Sequence, residues 1–444
     1  SSLAGVSAAR ERGIDVLVTD HHLPGPALPA ANVIVNPNAA ASCFGSRALA
    51  GVGVAFYVAA AVRRTLDAAG ALAGGASSAA AFLDLVALGT VADLVPLDGN
   101  NRVLVAQGLE RIRAGRCVPG IEALAGIAGR RRANLIAADL AFGIAPRLNA
   151  AGRLDDMSIG IRCLLAQERS EAEALAAQLD QLNQERRAIE ARMQVEALAA
   201  IRLLEDPASL AARRSALTLF DESWHQGVVG LVAGRIKEKA RRPVVAFARV
   251  GNGLLRGSAR SIPGLHIRDA LDAVAVRHPD LIQRFGGHAM AAGLTLAEAN
   301  LDAFARALDE EVARSLGTLL DRDCIETDGE LAAHEIALET AEALRGGGPW
   351  GQAFPEPCFD GLFSIRSTRV VGERHLKMWV EVPRSGRTFD AIAFNHLEAP
   401  AAGGAHERPE GLPAGDVLLV YRLDVNEYRG ERRLQLLVDH VLAP

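Results

Sequence analysis

The period of the hydrophobic pattern changes along the chain, and each change marks a part. Ile14, Val16, Leu17 and Val18 form a short apolar run that opens into Asp20, His21 and His22 and is stopped by Pro24 and Gly25. Such a run predicts a strand buried on both faces of a parallel sheet. Residues 32–37 predict a second short strand, residues 51–57 open a long apolar helix, and residues 70–78 are a Gly-rich loop. The segment 82–96 is apolar except for Asp84 and Asp93, and another helix begins near Asn100. From Glu168 to Leu204 strong helix formers run without Gly or Pro, with Leu175, Leu179, Leu182, Ile189 and Met193 at helical spacing. That stretch predicts a long connector helix and a domain boundary. A second α/β unit follows, with strands at 216–220 and 243–247 and a helix opened by residues 224–230. Beyond about Leu319 the alternation becomes that of short strands, at 365–371, 375–382, 388–394, 417–423 and 433–438. Five such strands with turns between them suit a small barrel of the OB type.

Composition narrows the class. A chain of 444 residues, 50% hydrophobic and 23% charged, is ordinary globular material, long enough for about three domains. No apolar run reaches the length of a membrane span, and the amino terminus lacks a basic-then-apolar signal. Cys43, Cys117, Cys163, Cys324 and Cys358 are scattered without a Cys-x-x-Cys pair. This points to a reducing cytoplasm and away from a disulfide framework or a zinc ribbon. A net charge of −5 means that any nucleic-acid surface is a local patch. The first thirteen residues read as a capped helix leading straight into the first strand. A sheet rarely begins halfway through a strand-helix unit, so part of the domain is expected upstream.

The candidate chemistry sits at the ends of these elements. Asp20, His21 and His22 lie where a strand opens into a loop, the edge at which α/β sheets bind ligands. Carboxylate and imidazole together suit Mn²⁺, Fe²⁺ or Zn²⁺, and Mg²⁺ if more oxygens join them. The alternative is a helix-capping Asp beside two solvated histidines, and Asp93 could equally cap a helix end. A buried acid is costly unless paired or coordinated. Arg147, Asn149 and Arg153, punctuated by Pro146 and Gly152, suit a phosphate-binding loop, since guanidinium forks match phosphate oxygens. Ion pairs with Asp155 and Asp156 are the competing use. Residues 255–261 interleave small residues with Arg256, Ser258, Arg260 and Ser261. Residues 285–293 predict a Gly-Gly turn into an Ala-rich helix whose first amides could hold an anion. In the last segment Trp350, Trp379, Tyr421 and Tyr428 are interleaved with Arg366, Arg369, Lys377, Arg429, Arg432 and Arg433. Rings beside cations are what a single-strand groove needs, unless the rings fill the barrel core.

In this order the motifs resemble the DHH phosphoesterase superfamily and, within it, the RecJ family of single-strand-specific DNA exonucleases. The matching stretches are Val-Thr-Asp-His-His at 18–22, Ala-Leu-Gly-Thr-Val-Ala-Asp-Leu-Val-Pro-Leu at 87–97 and Pro-Arg-Leu-Asn-Ala-Ala-Gly-Arg at 146–153. They continue with Ser-Trp-His-Gln-Gly-Val-Val-Gly at 223–230, Gly-Ser-Ala-Arg-Ser-Ile-Pro at 257–263 and Gly-Gly-His-Ala-Met-Ala-Ala-Gly at 286–293. Residues 349–357, 375–377 and 426–430 resemble the family's carboxy-terminal OB region.

The resemblance implies an α/β fold in four parts: a DHH-type parallel-sheet domain over residues 1–165, incomplete at its amino end; a connector helix over 166–205; a DHH-associated substrate-binding domain over 206–318; and an OB-like β-barrel over 319–444. It implies a cytoplasmic, monomeric hydrolase of DNA repair and recombination that uses two Mn²⁺ or Mg²⁺ ions to degrade single-stranded DNA from a free 5′ end. Single-strand-binding protein and a helicase are its implied partners. By the matching motifs Asp20, His21 and Asp93 are metal ligands, with His22 and Asp93 at the catalytic centre. Arg147, Asn149 and Arg153 line the substrate path, and Ser258, Arg260, Ser261 and His288 form the opposing wall, with His225 nearby. Trp379, Tyr428 and Arg429 are the barrel's single-strand groove. The family's upstream Asp-x-Asp-x-x-Gly loop and further Asp-bearing strand do not occur in this sequence. The expectation is therefore a fragment with little activity of its own and an exposed sheet edge. Two other readings compete. A DHH phosphatase of short oligonucleotides would lack the barrel, and a non-catalytic DHH-derived scaffold would have lost its ligands by substitution.

Overall fold

The computed structural model describes residues 2–25, 27–72, 78–204, 214–316, 325–372, 375–394, 396, 415–428 and 431–444. Arg429 and Cys324 lie outside the described residues, as does the middle of the Gly-rich loop. The chain divides into two compact units, Ser1–Ala145 with Ile325–Pro444, and Pro146–Cys324.

The first unit starts with helix α1 (Leu3–Glu11), whose first turn is closed by the Ser2 hydroxyl accepting from the Gly5 amide. Strand β1 (Leu17–Thr19) then pairs in parallel with β2 (Val33–Val35). Contrary to the expectation of a strand buried on both faces, Leu17 is 56% and Ile14 53% exposed. The cause is topological: among the described residues this sheet has two strands, so no further strand covers the outer edge. Helices α2 (Gly51–Ala68), α3 (Leu83–Ala92), α4 (Gly99–Arg113) and α5 (Pro119–Ile127) follow. Val54 and Val86 join Leu104 in a shared core. Asp84, one of the two acids in the apolar segment, is buried and accepts from the Val118 amide at 2.8 Å. It therefore seats the start of α5 and has no part in the edge where β1 ends.

After a single turn, α6 (Ala137–Asp139), a wide π-turn at Leu140–Ile144 leads into α7 (Ala145–Leu154). The stretch read as a phosphate-binding loop is thus helical. Pro146 directly follows the π-turn in a run that is helical from Ala137 to Leu154. Ile144, Ala145, Leu148, Ala150 and Ala151 are buried, and that apolar face holds the helix in place.

In the second unit α8 (Ser158–Leu165) packs against the 36-residue α9 (Arg169–Leu204). Strands β3 (Leu217–Phe220) and β4 (Val244–Gly251) are parallel and linked through α10 (Val229–Ala240). Strands β5 (Leu254–Arg260), β6 (Arg284–Gly287) and β7 (Ala291–Ala297) complete a sheet of order β3-β4-β5-β7-β6. The Ala-rich segment after Gly287 is a central strand rather than the expected helix. Ala292, Leu294 and Leu296 alternate into the core, and pairing on both sides overrides the helix propensity of alanine. Helices α11 (Ile267–Arg277) and α12 (Leu301–Leu316) close that face, with Phe247 edge-on to Phe304 at 5.6 Å.

The chain then returns to the first unit. Helix α13 (Leu338–Gly347) packs on a five-stranded closed barrel built of β8 (Phe359–Val371), β9 (His375–Glu381), β10 (Thr388–Ala393), β11 (Asp416–Tyr428) and β12 (Glu431–Leu442). All strands alternate into one core around Tyr421, which is fully buried. Closure comes from a short parallel pairing of β10 with β12.

Two glycines provide a test of this packing. A Cβ on Gly108 in α4 would lie 2.2 Å from the Leu83 carbonyl oxygen, whereas one on Gly126 in α5 would meet nothing within 4 Å. Gly108→Ala is expected to cost about 1–3 kcal/mol through overpacking, and Gly126→Ala to gain about 0.5–1 kcal/mol through helix propensity. Urea unfolding of the two variants beside the parent checks the opposite signs.

Candidate functional site

The first cluster forms where β1 ends. The Asp20 amide donates to the Val35 carbonyl, so the strand pairing continues to Asp20 and then stops. The chain turns around that carboxylate: Asp20 Oδ1 accepts from the amides of His21 at 2.7 Å and His22 at 3.1 Å, and from His22 Nδ1 at 2.8 Å. A donor at Nδ1 fixes the His22 tautomer, with Nε2 as the basic nitrogen. The carbonyls of His21 and His22 are held in turn by the side-chain amides of Asn38 and Asn36. Asp93 arrives from the other side as the carboxy-terminal cap of α3. The α2–α3 approach that brings it there depends on Gly89, where a Cβ would lie 2.7 Å from Val52 Cγ1. His21 Nε2 and Asp93 Oδ2 end 3.3 Å apart.

That spacing can be tested against a metal ion. Nitrogen and oxygen ligands about 2.0–2.2 Å from one small cation and at neighbouring positions around it lie about 3–3.5 Å from each other. The His21–Asp93 pair fits one divalent ion. The expected set of Asp20, His21 and Asp93 is not brought together as such: among the described residues no three His, Cys, Asp or Glu side chains are grouped to hold a metal. Asp20 Oδ1 already serves the turn, so the described residues supply one edge of a cation site and not the ligand set of two ions.

The second cluster lies in the other unit, on the face of its sheet. Along β5, Arg256, Ser258 and Arg260 alternate with buried Gly257 and Ala259 and so share the open face. In register, Arg256 pairs with Thr295 and Thr295 with Arg284, while Ser258 pairs with Gly293 and Gly293 with Gly286. The result is a cleft of about 680 Å³ with arginines at its edges, a glycine floor, and no Asp or Glu among its lining residues. Arg260 donates to the Ser258 hydroxyl and the Ala259 carbonyl, both at 2.9 Å. Arg153, from the end of α7, donates to the Gly227 carbonyl at 3.1 Å. Burial lowers the proton affinity of both guanidiniums, and the charge of Arg153 lowers that of Arg260 further. Glu190 works the other way on Arg153. Close approach again needs glycine: a Cβ at Gly227 would lie 2.4 Å from the Arg153 carbonyl oxygen, and one at Gly230 2.8 Å from Arg260 Nη2. Two desolvated cations side by side make an anion site.

The other anticipated residues are dispersed. Arg147 is buried and paired with Asp180 at 2.8 Å, neither in a loop nor bound to Asp155 or Asp156. Asn149 is exposed on α7. Ser261 is buried beneath the cleft and donates to the Leu265 carbonyl. His288 is exposed in the β6–β7 turn, with its amide on the Ala291 carbonyl, and does not line the cleft. His225 Nδ1 accepts from the Gly227 amide, a turn-capping role. On the barrel, Trp379 presents a 46% exposed residue to solvent, while Tyr421 fills the core. Trp350 stacks on Phe354. The Tyr428 backbone pairs with Glu431. Residues absent from the anticipated set are Arg256, Arg284, Thr295 and Gln226. The alternation of Arg256, Ser258 and Arg260 was the signal that could have placed Arg256 on the same face.

Comparisons with known proteins follow the same division. The DHH family N-terminal domain matches residues 1–90, the DHHA1 domain residues 213–314, and the RecJ OB domain residues 327–440. The chain is 52% identical over 444 residues to the single-stranded-DNA-specific exonuclease RecJ of Dickeya dadantii, covering 99% of this chain and 75% of that protein. It is 50% identical over 446 residues to that of Escherichia coli, again at 99% and 75% coverage. The crystal structure of RecJ with Mn²⁺ from Thermus thermophilus superposes with a TM-score of 0.77 at 29% identity, covering 100% of this chain and 61% of that one. A second, of exonuclease RecJ bound to manganese, gives 0.56 at 35% identity, over 72% of this chain and 75% of the other. On these matches the chain belongs to the RecJ family of single-stranded-DNA-specific exonucleases, which are metal-dependent hydrolases.

Proposed function

We propose that this protein hydrolyses single-stranded DNA from its 5′ end, in DNA repair and recombination in the cytoplasm. The observation that carries the reading is the cleft over β5, β7 and β6. Its desolvated Arg153–Arg260 pair, without a lining carboxylate, is built for phosphate, and its glycine floor lets a sugar or base lie on the backbone. A duplex presents its phosphates on a cylinder too wide for such a cleft, whereas a single strand can lay down one nucleotide at a time.

In this reading Arg153, Arg260 and Ser258 grip a backbone phosphate, and Arg256 and Arg284 on the same sheet face hold its neighbours. At the β1 end, His21 and Asp93 would hold a divalent ion, Mn²⁺ or Mg²⁺, which supplies charge neutralisation and a more acidic water. His21 would bind the ion through the lone pair of Nε2 and Asp93 through Oδ2. His22, oriented by Asp20, offers a basic nitrogen beside that edge and is suited to hold or accept a proton during hydrolysis.

Three outcomes follow. Asp93→Asn should weaken Mn²⁺ binding, read by electron paramagnetic resonance, by about 10-fold or more while leaving the fold intact. Arg260→Gln should reduce single-strand affinity in EDTA by about tenfold or more, and the loss should shrink in high salt because the interaction is with phosphate. Cleavage is measured with a 3′-labelled oligonucleotide in Mn²⁺, for this chain and for a version carrying the upstream Asp-x-Asp segment that the sequence resemblance implies. Shortening from the 5′ end that is lost in Asp93→Ala supports the proposal. Binding without cutting by both versions, in every divalent metal tried, would replace it with the scaffold reading.

A further inference from the structure

A second pair of arginines lies in the first unit, between its helices and the barrel. Arg113 ends α4, and its Nε donates to the Leu135 carbonyl at 2.7 Å. Arg345 is on α13, and its Nη2 donates to the Asn134 carbonyl at 2.9 Å. Backbone carbonyls thus fix both side chains, but among the described residues neither has a carboxylate within 4 Å. Burial and the charge of Arg345 lower the proton affinity of Arg113, while Glu110 and Asp139 work the other way.

Two hollows meet at these arginines. One is a groove of about 480 Å³ whose rim adds Arg131 and Arg432. The two acids on that rim are already engaged, Glu342 by Arg432 and Glu427 by Asn134. The other hollow is a pocket of about 170 Å³ walled by Leu109, Ile136 and Trp350. A cavity of ~150 Å³ is enough to hold a benzene ring. Three carboxyls, Glu110, Glu356 and Asp424, also line the pocket. Leu423 and Val425 belong to the barrel core, and Asp424 between them lies on the opposite face of β11. Glu356 is engaged by Arg422 at 3.2 Å, whereas Asp424 has no ion pair among the described residues. Burial raises the proton affinity of Asp424 despite the opposing charges of Arg345 and Arg422. Arginines shared with the groove, apolar walls and carboxyl acceptors therefore meet in one pocket. An acidic peptide would meet repulsion at the carboxyls. A planar ring with an amino group at one end and a phosphate at the other matches all three.

We propose that this hollow binds a nucleotide, its amino-bearing base between the apolar walls with the amino group on Asp424, and its phosphate on Arg113 and Arg345. The site is separate from the cleft of the second unit and does not depend on the exonuclease reading. The nucleotide is either free or one unit of a strand.

The test is calorimetric titration of the full chain in EDTA with dAMP, dCMP, dTMP and inorganic phosphate. Saturable binding is expected, tighter for dAMP and dCMP than for dTMP, which lacks an amino group. Arg345→Gln should weaken dAMP binding about tenfold or more. Arg113→Gln, at an exposed helix end, gives the same readout should Arg345→Gln fold poorly. Asp424→Ala should erase the preference over dTMP. A short oligonucleotide that displaces dAMP identifies the ligand as part of a strand, and one that does not identifies it as free nucleotide. The proposal is overturned if dAMP binds no tighter than inorganic phosphate, or if neither arginine substitution moves its affinity.

Discussion

Backbone packed where no side chain fits is the constraint on which the His21–Asp93 edge and the cleft both depend. At Gly89 the missing Cβ lets α3 lie against Val52 of α2, and the end of α3 is what carries Asp93 to His21. At Gly227 and Gly230 it lets the start of α10 lie against Arg153 and the β5 side chains. Gly257 plays the same part from beneath, where a Cβ would sit 2.4 Å from a Phe247 ring carbon. A single methyl group at any of these positions would move a charged side chain by more than its hydrogen bonds tolerate. Placement of the charges is therefore set by helix and strand spacing, and the side chains themselves need little freedom.

The electrostatics follow from that rigidity. At the β1 end Asp20 is committed to its own turn, which leaves Asp93 as the carboxylate that faces His21. The arginines of the cleft and of the groove are held in place as donors to carbonyls or a hydroxyl. In a chain of net charge −5, any anion recognition has to be local rather than the work of a broad positive field.

Much of this was legible in the sequence because the signals were local. The 36-residue helix α9 stood out by composition, and the barrel strands by alternation and turns. The errors share one cause, a local propensity overruled by partners far away in sequence. Pro146 and Gly152 looked like loop punctuation but sit inside a helix whose buried face decides the matter. Ala289, Ala291 and Ala292 looked helical, but β5 and β6 flank the segment and draw it into the sheet. Arg147 and Ser261 carried the right chemistry at the right spacing, yet their partners Asp180 and Leu265 take them out of the cleft. Arg113 and Arg345, 232 positions apart, could not have been paired from sequence at all.

One topological fact bears on how the protein is made. The second unit is continuous, Pro146–Cys324, but the first is assembled from both ends of the chain. The amide of Leu97 bonds to the Gln352 carbonyl, and Asn134 to Glu427, so α4 and its neighbours lack partners until the barrel is synthesised. Domains emerge and fold in order of translation. The inserted unit can therefore be complete while the stretch that precedes it still exposes the surface meant for the barrel. During synthesis the half-built first unit is the part of this chain most in need of protection from its neighbours.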